Sequence, residues 1–359
     1  MFIFDGHLDL AMNAVQWNRD ITRPLDEVRA REAGLTDKLD RGNNTVTLPE
    51  MRRAGIGICI ATPIGHSVAQ DNPVPGWNSP EIAWAYTQAQ LAWYRAMEER
   101  GEMRQITNRG QLEEQVERWQ DGPSEQNASA PIGYILSLEG ADSILTLDHL
   151  ERAFEYGLRA LGPAHYSIGR YAPGTGAEGP LTADGRALVK KMAELGIILD
   201  VTHLTDESFW EALELYDGQA VWASHNNCRA LVEHQRQLSD EQLKALIERG
   251  AVIGAAFDAW MMIPGWKRFE TLPNDVGLRI AHAVDHIDHI CQLAGNANHV
   301  GVGSDLDGGS GKEQTPLDLN SIADLRALIP LLKERGFAQH DIAKMMHGNW
   351  LQLLRQAWK

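Results

Sequence analysis

The feature that most constrains this chain is an alternation. Short apolar runs rich in β-branched residues recur along it, separated by longer stretches with the 3.6-residue period of amphipathic helices. Eight such runs lie at 2–5, 57–62, 132–138, 158–161, 197–202, 220–224, 251–257 and 300–303. Helical patterns at 80–100, 148–156, 183–195, 206–215, 240–249 and 275–293 fall between most of them, and two more, 321–335 and 339–358, follow the last run. The pattern at 240–249 opens with Ser239 and Gln242, an S-x-x-Q capping box. Strands that alternate with helices build a parallel sheet, and eight βα units in 359 residues favour a closed (β/α)8 TIM barrel over an open doubly wound sheet. The absence of G-x-G-x-x-G after an early strand also speaks against a dinucleotide-binding sheet. The reading is therefore one α/β barrel domain over 1–359, with extended, Pro- and Gly-punctuated loops at 13–50 and 65–79 behind the first two strands and an added C-terminal helix.

Charge narrows the partners. With 49 acidic against 33 basic residues the formal charge is −16, which repels nucleic acid and anionic membrane surfaces and leaves a small-molecule substrate as the expected partner. No run approaches the roughly 20 apolar residues of a membrane span, and the first residues lack a charged n-region, so the expectation is a cytoplasmic chain without a membrane anchor. A homodimer is compatible with all of this. Cys59, Cys228 and Cys291 are odd in number and form no C-x-x-C pair, so they read as reduced packing residues.

In a barrel, chemistry gathers where strands end and βα loops begin. Those positions hold His7 and Asp9 in "DGHLDL", Glu139 in "SLEGAD", His165 in "GPAHYS", His203 in "DVTHLT", His225 in "WASHNN" and Asp305 in "GVGSDLDGG". His7 and Asp9, two apart on a strand, share a face. Any one of these alone reads as a hydrogen-bonding loop residue or a helix cap, but packing gives no reason for six of eight strands to end in an imidazole or carboxylate. Imidazole and carboxylate donors without a thiolate suit zinc, with manganese, cobalt or iron as substitutes. Five ligands are too many for one open catalytic ion and fit two, with His7 and Asp9 on one, His203 and His225 on the other and Glu139 bridging. A rival cluster, His282, His286 and His289, stands at helical spacing on the outer ring, where no open position serves a substrate. "DLDGG" is superficially like a calcium loop but lacks the alternating ligands and terminal Glu.

Taken in order, "DGHLDL", "SLEGAD", "LDVTH", "ASHNN" and "VGVGSDLDGG" make the chain resemble the membrane (renal) dipeptidases, the M19 metallopeptidases of the amidohydrolase-like barrels. The resemblance implies a binuclear zinc site with the ligands above and a metal-bridging hydroxide that attacks the scissile carbonyl of a dipeptide, one with a D-residue at its C-terminal position included. It implies that His165 binds substrate and stabilises the oxyanion, that Asp305 moves the catalytic proton, and that Arg236 binds the substrate carboxylate. On its own, an arginine just before a capping box reads as a solvated charge; its offset of eleven from His225, which resembles the family's pattern, reverses that. The chain departs from the family at Leu8, at "LGPAH" and at "IATPIGHS" after the second strand, which puts the side-chain pocket in question rather than the metal chemistry. Two alternatives stay open: the same site acting on another small amide such as an N-acyl amino acid, and a non-catalytic barrel that binds a peptide or metabolite.

Overall fold

The computed structural model describes residues 1–68 and 76–358, so part of the loop expected at 65–79 lies outside the described residues. Among the described residues nine strands form in chain order: β1 Ile3–Leu8, β2 Ile56–Ala61, β3 Met103–Gln105, β4 Ile132–Glu139, β5 Leu158–Gly162, β6 Ile198–Asp200, β7 Val221–Ala223, β8 Val252–Ala255 and β9 Val300–Val302. All pairings among them are parallel. Eight of them close a ring in the order β1-β2-β4-β5-β6-β7-β8-β9, because β2 pairs with β4 and β9 returns to β1. The ninth, β3, pairs only with the first residues of β4. Its residues, Met103, Arg104 and Gln105, include a single apolar side chain and so make no apolar run that the sequence could show.

The ring strands are buried on both faces, as parallel strands wrapped by helices must be. Their apolar side chains merge with the inner faces of the helices into one core running from Phe2 to Leu354. Trp350 is wedged into it, stacked on Phe4 with ring centroids 5.8 Å apart and donating from Nε1 to the Val302 carbonyl at 3.0 Å. Cys59, Cys228 and Cys291 are free and buried, as expected of packing residues. Among the described residues no helix is long and apolar enough to cross a membrane.

Boundaries differ from expectation in instructive places. β1 runs on to Leu8, which pairs with Ala61, so His7 is part of the strand rather than of the loop after it. The helix expected at 275–293 is two, Pro273–Val276 and Ala281–Ala294, because Gly277 takes a left-handed φ of 66° and ends the first. The expected 321–335 helix begins as a 3₁₀ stretch, Ile322–Ala327, before α-helix Leu328–Glu334. The last helix carries a π-helical turn at Lys344–Gly348, between Gln339–Ala343 and Asn349–Ala357. The long loop after β1 is not bare: helices Leu10–Val15, Leu25–Arg31 and Leu48–Ala54 lie within it. It is knitted by a buried Arg19, whose guanidinium donates to Glu32 (2.9 Å), Asp40 (2.8 Å) and Asn13 (2.7 Å). Helix Arg109–Trp119, capped by Asn108, is a further element the apolar pattern did not suggest.

Candidate active site

The strand ends deliver their side chains to one point. Glu139, the last residue of β4, lies with Oε1 3.2 Å from His203 Nε2, 3.5 Å from His225 Nε2, 3.6 Å from His7 Nε2 and 3.8 Å from His165 Nε2. Asp9 Oδ2 is 3.8 Å from His7 Nε2, and the two Asp305 oxygens stand 3.7 Å from His7 and 3.7 Å from His225. All seven strand-end residues singled out in the sequence are thus together. Donor atoms fall into mutually close triads, each within 4.8 Å: His7, Asp9 and Glu139; Glu139, His203 and His225; His7, His225 and Asp305.

A layer beneath them fixes the imidazoles. Ser224 Oγ lies 3.0 Å from His225 Nδ1 and 3.4 Å from His7 Nδ1, and Thr175 Oγ1 lies 2.8 Å from His203 Nδ1. With Nδ1 engaged in His7, His203 and His225, the Nε2 of each of these three is left to face the Glu139 carboxylate. Asp5 accepts from the Ser304 hydroxyl (2.6 Å) and backbone (2.8 Å), tying β1 to β9. Asp200 accepts from the Thr202 and Ser224 amides at 3.0 and 3.1 Å, tying β6 to β7. Neither aspartate stood out in the sequence, although Asp5 sits two residues before His7 and so shares its face. His203 and Asp305 have φ of 69° and 56°, a left-handed backbone that non-glycine residues avoid and that is retained here where the side chains must converge. Gly308 answers this: a Cβ there would come within 2.0 Å of Asp305 Oδ1.

The electrostatics of the cluster are those of a cation site. Burial, then the neighbouring Asp9, pushes Glu139 up to about 8 despite the opposing pull of His7. Burial and the adjacent Asp258 hold Asp305 well above the usual carboxylate range. His165, His203 and His225 are pushed well below the ordinary histidine value by burial and by the Arg236 charge, which keeps them neutral and able to act as ligands. Burial would lower His7 too, but the Glu139 and Asp9 carboxylates outweigh it and raise it to about 9. His7 Nε2 and Asp9 Oδ1 are buried with no hydrogen-bond partner among the described residues. Crowded carboxylates, neutral imidazoles and orphaned donor atoms together fit divalent ions.

Arg236, expected on its own merits to be solvated, is 3% exposed. Its Nη2 donates to the His225 carbonyl at 2.8 Å, while Nε and Nη1 are buried without partners among the described residues. It lines a cavity of about 580 Å³ together with Asp9, Glu139, His165, His203 and Asp305. Aromatic walls also face that cavity: Trp17, Trp77, Tyr86, Tyr166, Trp260 and Phe269. The sequence pattern did not single out Asp258, Tyr166 or Arg268 on the same wall, where Arg268 Nη1 donates to Tyr166 Oη at 3.0 Å. The rival histidines are occupied separately. His286 accepts from the Cys228 amide and donates to the Met262 carbonyl, both at 3.1 Å; His289 pairs with Asp240 at 2.8 Å; and His282 bonds the Arg279 backbone.

A model of the membrane dipeptidase family, peptidase family M19, matches residues 1–359. The chain belongs to the M19 family. It is accordingly a metallo-dipeptidase, a hydrolase of peptide bonds. Among M19 structures it is similar over 100% of its length to 99% of a dipeptidase described as a metallo peptidase, at 24% identity and a TM-score of 0.79. It is similar, at 22% identity, a TM-score of 0.75 and with the same coverage, to a metallo peptidase from Rhodobacter sphaeroides liganded with a phosphinate mimic of the dipeptide L-Ala-D-Ala. Dipeptidase tcpJ of Claviceps purpurea is 26% identical over 232 residues, covering 62% of this chain and 51% of that protein.

Proposed function

We propose that the protein is a binuclear zinc dipeptidase, with residues 1–359 as one catalytic barrel domain. His7 and Asp9 would hold one ion, His203 and His225 the other, and Glu139 both. The observation that carries the reading is the convergence of three imidazole Nε2 atoms within 3.2–3.6 Å of one Glu139 oxygen. When bound, two divalent ions supply Lewis acidity toward the scissile carbonyl and lower the pKa of water at neutral pH.

The chain's own residues divide the remaining work. Arg236 offers a buried guanidinium N–H that has no partner among the described residues to the C-terminal carboxylate of the dipeptide, a charge-assisted hydrogen bond that fixes the exopeptidase register. His165 turns its imidazole toward the Glu139 end of the cavity, where it hydrogen-bonds the developing oxyanion. Asp305, between His7 and His225, takes the proton of the attacking water and returns it to the leaving nitrogen. Bound cations would offset the burial and the Asp258 charge that raise its pKa, and so would favour the ionised, proton-accepting form. The ligand of the Rhodobacter sphaeroides relative supports acceptance of a D-residue at the C-terminal position. A panel of L-L and L-D dipeptides, each with its C-terminal amide, tests this with zinc-loaded protein. The free acids should be cleaved and the amides should be poor substrates by at least about tenfold, the scale of a lost charge-assisted hydrogen bond. Equal cleavage of acids and amides would remove Arg236 from its role.

A further inference from the structure

His66 belongs to "IATPIGHS", the stretch after β2, and none of the roles above uses it. Its side chain is 9% exposed, and Nδ1 lies 2.7 Å from Asp142 Oδ2. Asp142, 3% exposed, is itself fixed by the Ser67 amide (3.2 Å) and the Arg170 amide (2.8 Å). A carboxylate so placed holds the tautomer with the proton on Nδ1, which leaves Nε2 as a hydrogen-bond acceptor. That Nε2 is buried and has no partner among the described residues, although His66 lines the catalytic cavity beside His165, ring centroids 6.2 Å apart. An orphaned buried acceptor on the wall of a substrate cavity is costly unless the substrate satisfies it.

Ring topology indicates which part of the substrate that is. In the closed order β1-β2-β4-β5-β6-β7-β8-β9, β2 and β7 are four strands apart in either direction, so they stand on opposite sides of the barrel. Arg236 follows β7 and His66 follows β2, with Glu139 at the end of β4. A dipeptide whose carboxylate meets Arg236 and whose scissile carbonyl meets the ligand cluster must send its N-terminal residue toward the opposite wall. On that wall Ile64, Trp77 and Tyr86 offer apolar surface, and His66 Nε2 is a buried acceptor among them.

We propose that the His66–Asp142 pair receives the α-amino group of the substrate's N-terminal residue. The ammonium donates to Nε2, and the Asp142 carboxylate behind the ring stabilises the positive charge brought alongside. His66 is thereby a specificity-determining residue that favours free dipeptides over substrates lacking the amine. This rests on the dipeptidase reading above.

The test pairs each dipeptide with its des-amino analogue, in which hydrogen replaces the α-amino group. It uses the zinc-loaded wild type, His66→Phe and His66→Gln, with metal content checked in each. A hydrogen bond to a charged group predicts that the wild type prefers the dipeptide by roughly 10–100-fold in kcat/KM. His66→Phe should lower the dipeptide far more than the analogue, so that the ratio collapses toward one. His66→Gln, whose amide oxygen is again an acceptor, should restore part of it. The same ratios should appear in Kd, by calorimetry, for a non-cleavable dipeptide isostere with and without the amine. A His66→Phe variant that keeps the wild-type ratio, or lowers both substrates equally, overturns the proposal, since a purely structural histidine would do one or the other. A wild type that cleaves no dipeptide fails before any variant is compared, and overturns the dipeptidase reading and this inference together.

Discussion

Arg19 and Arg236 are equally buried, at 3% exposure each, and they could hardly be surrounded more differently. Every guanidinium nitrogen of Arg19 has a partner, among them Glu32, Asp40 and Asn13, and Arg41 and the Gly42 amide complete the Glu32 carboxylate. Arg236 uses one nitrogen on the His225 carbonyl and leaves two with none among the described residues. The same contrast separates their neighbourhoods. Around Arg19 charges of both signs close on one another and hold the long loop after β1 against the barrel. Around Arg236 carboxylates crowd carboxylates, imidazoles face inward, and donor atoms stop short of partners. Buried polar groups that satisfy one another build structure; buried polar groups left unsatisfied are kept for something that arrives. The His286 region is of the first kind, with both ring nitrogens engaged.

The contrast can be broken most sharply at Asp305. Asp305→Asn keeps the shape but cannot carry a proton, so kcat should fall by roughly 10²–10⁴ while metal content and thermal stability hold. Loss of metal in proportion to activity would make Asp305 a structural member of the cluster. Next come the two arginines, each replaced by Met. Arg19→Met strands buried carboxylates and should cost about 3–5 kcal/mol in urea unfolding. Arg236→Met should leave stability unchanged or raise it, and weaken dipeptide turnover by at least about tenfold. Comparable destabilisation by both would erase the distinction drawn between them.

The smallest effect is at His286. Burial lowers its folded pKa to about 4, below the roughly 6.5 of an unfolded histidine, so the unfolded chain takes up the proton first as pH falls. Stability from this residue is therefore intact above about pH 6.5 and is lost on the way down to about 4. Unfolding of the wild type relative to His286→Gln should move by up to about 2 kcal/mol between pH 7 and pH 5. A pH-independent difference between the two would mean that His286 is not buried neutral.

How much of this is legible in the sequence depends on whether partners share a local period. His7 and Asp9 announce themselves because a strand places every second side chain on one face, and the ligand set as a whole because barrel strands end at one rim. Arg236 is different: "HQRQLSD" has the look of a solvated turn, and only its offset from His225, known from related chains, marks it. The Arg19 network cannot be read at all, since Arg19, Glu32 and Asp40 follow no helical or strand spacing and meet only when the loop folds over Trp17. The same holds for His66 and Asp142, separated by 76 residues and joined because β2 and β4 are neighbours in the ring. In the C-terminal third, the expected helices are found, but their breaks follow from Gly277 and from a π-helical turn that apolar periodicity averages away.

The central claim, that the unsatisfied cluster is kept for two cations, is tested most directly by counting metal. After zinc loading and removal of excess, elemental analysis of the wild type should give about two ions per chain, and Glu139→Gln, which removes a ligand from both, one or fewer. A wild-type count near zero or one, or a Glu139→Gln variant that retains two, would contradict the account.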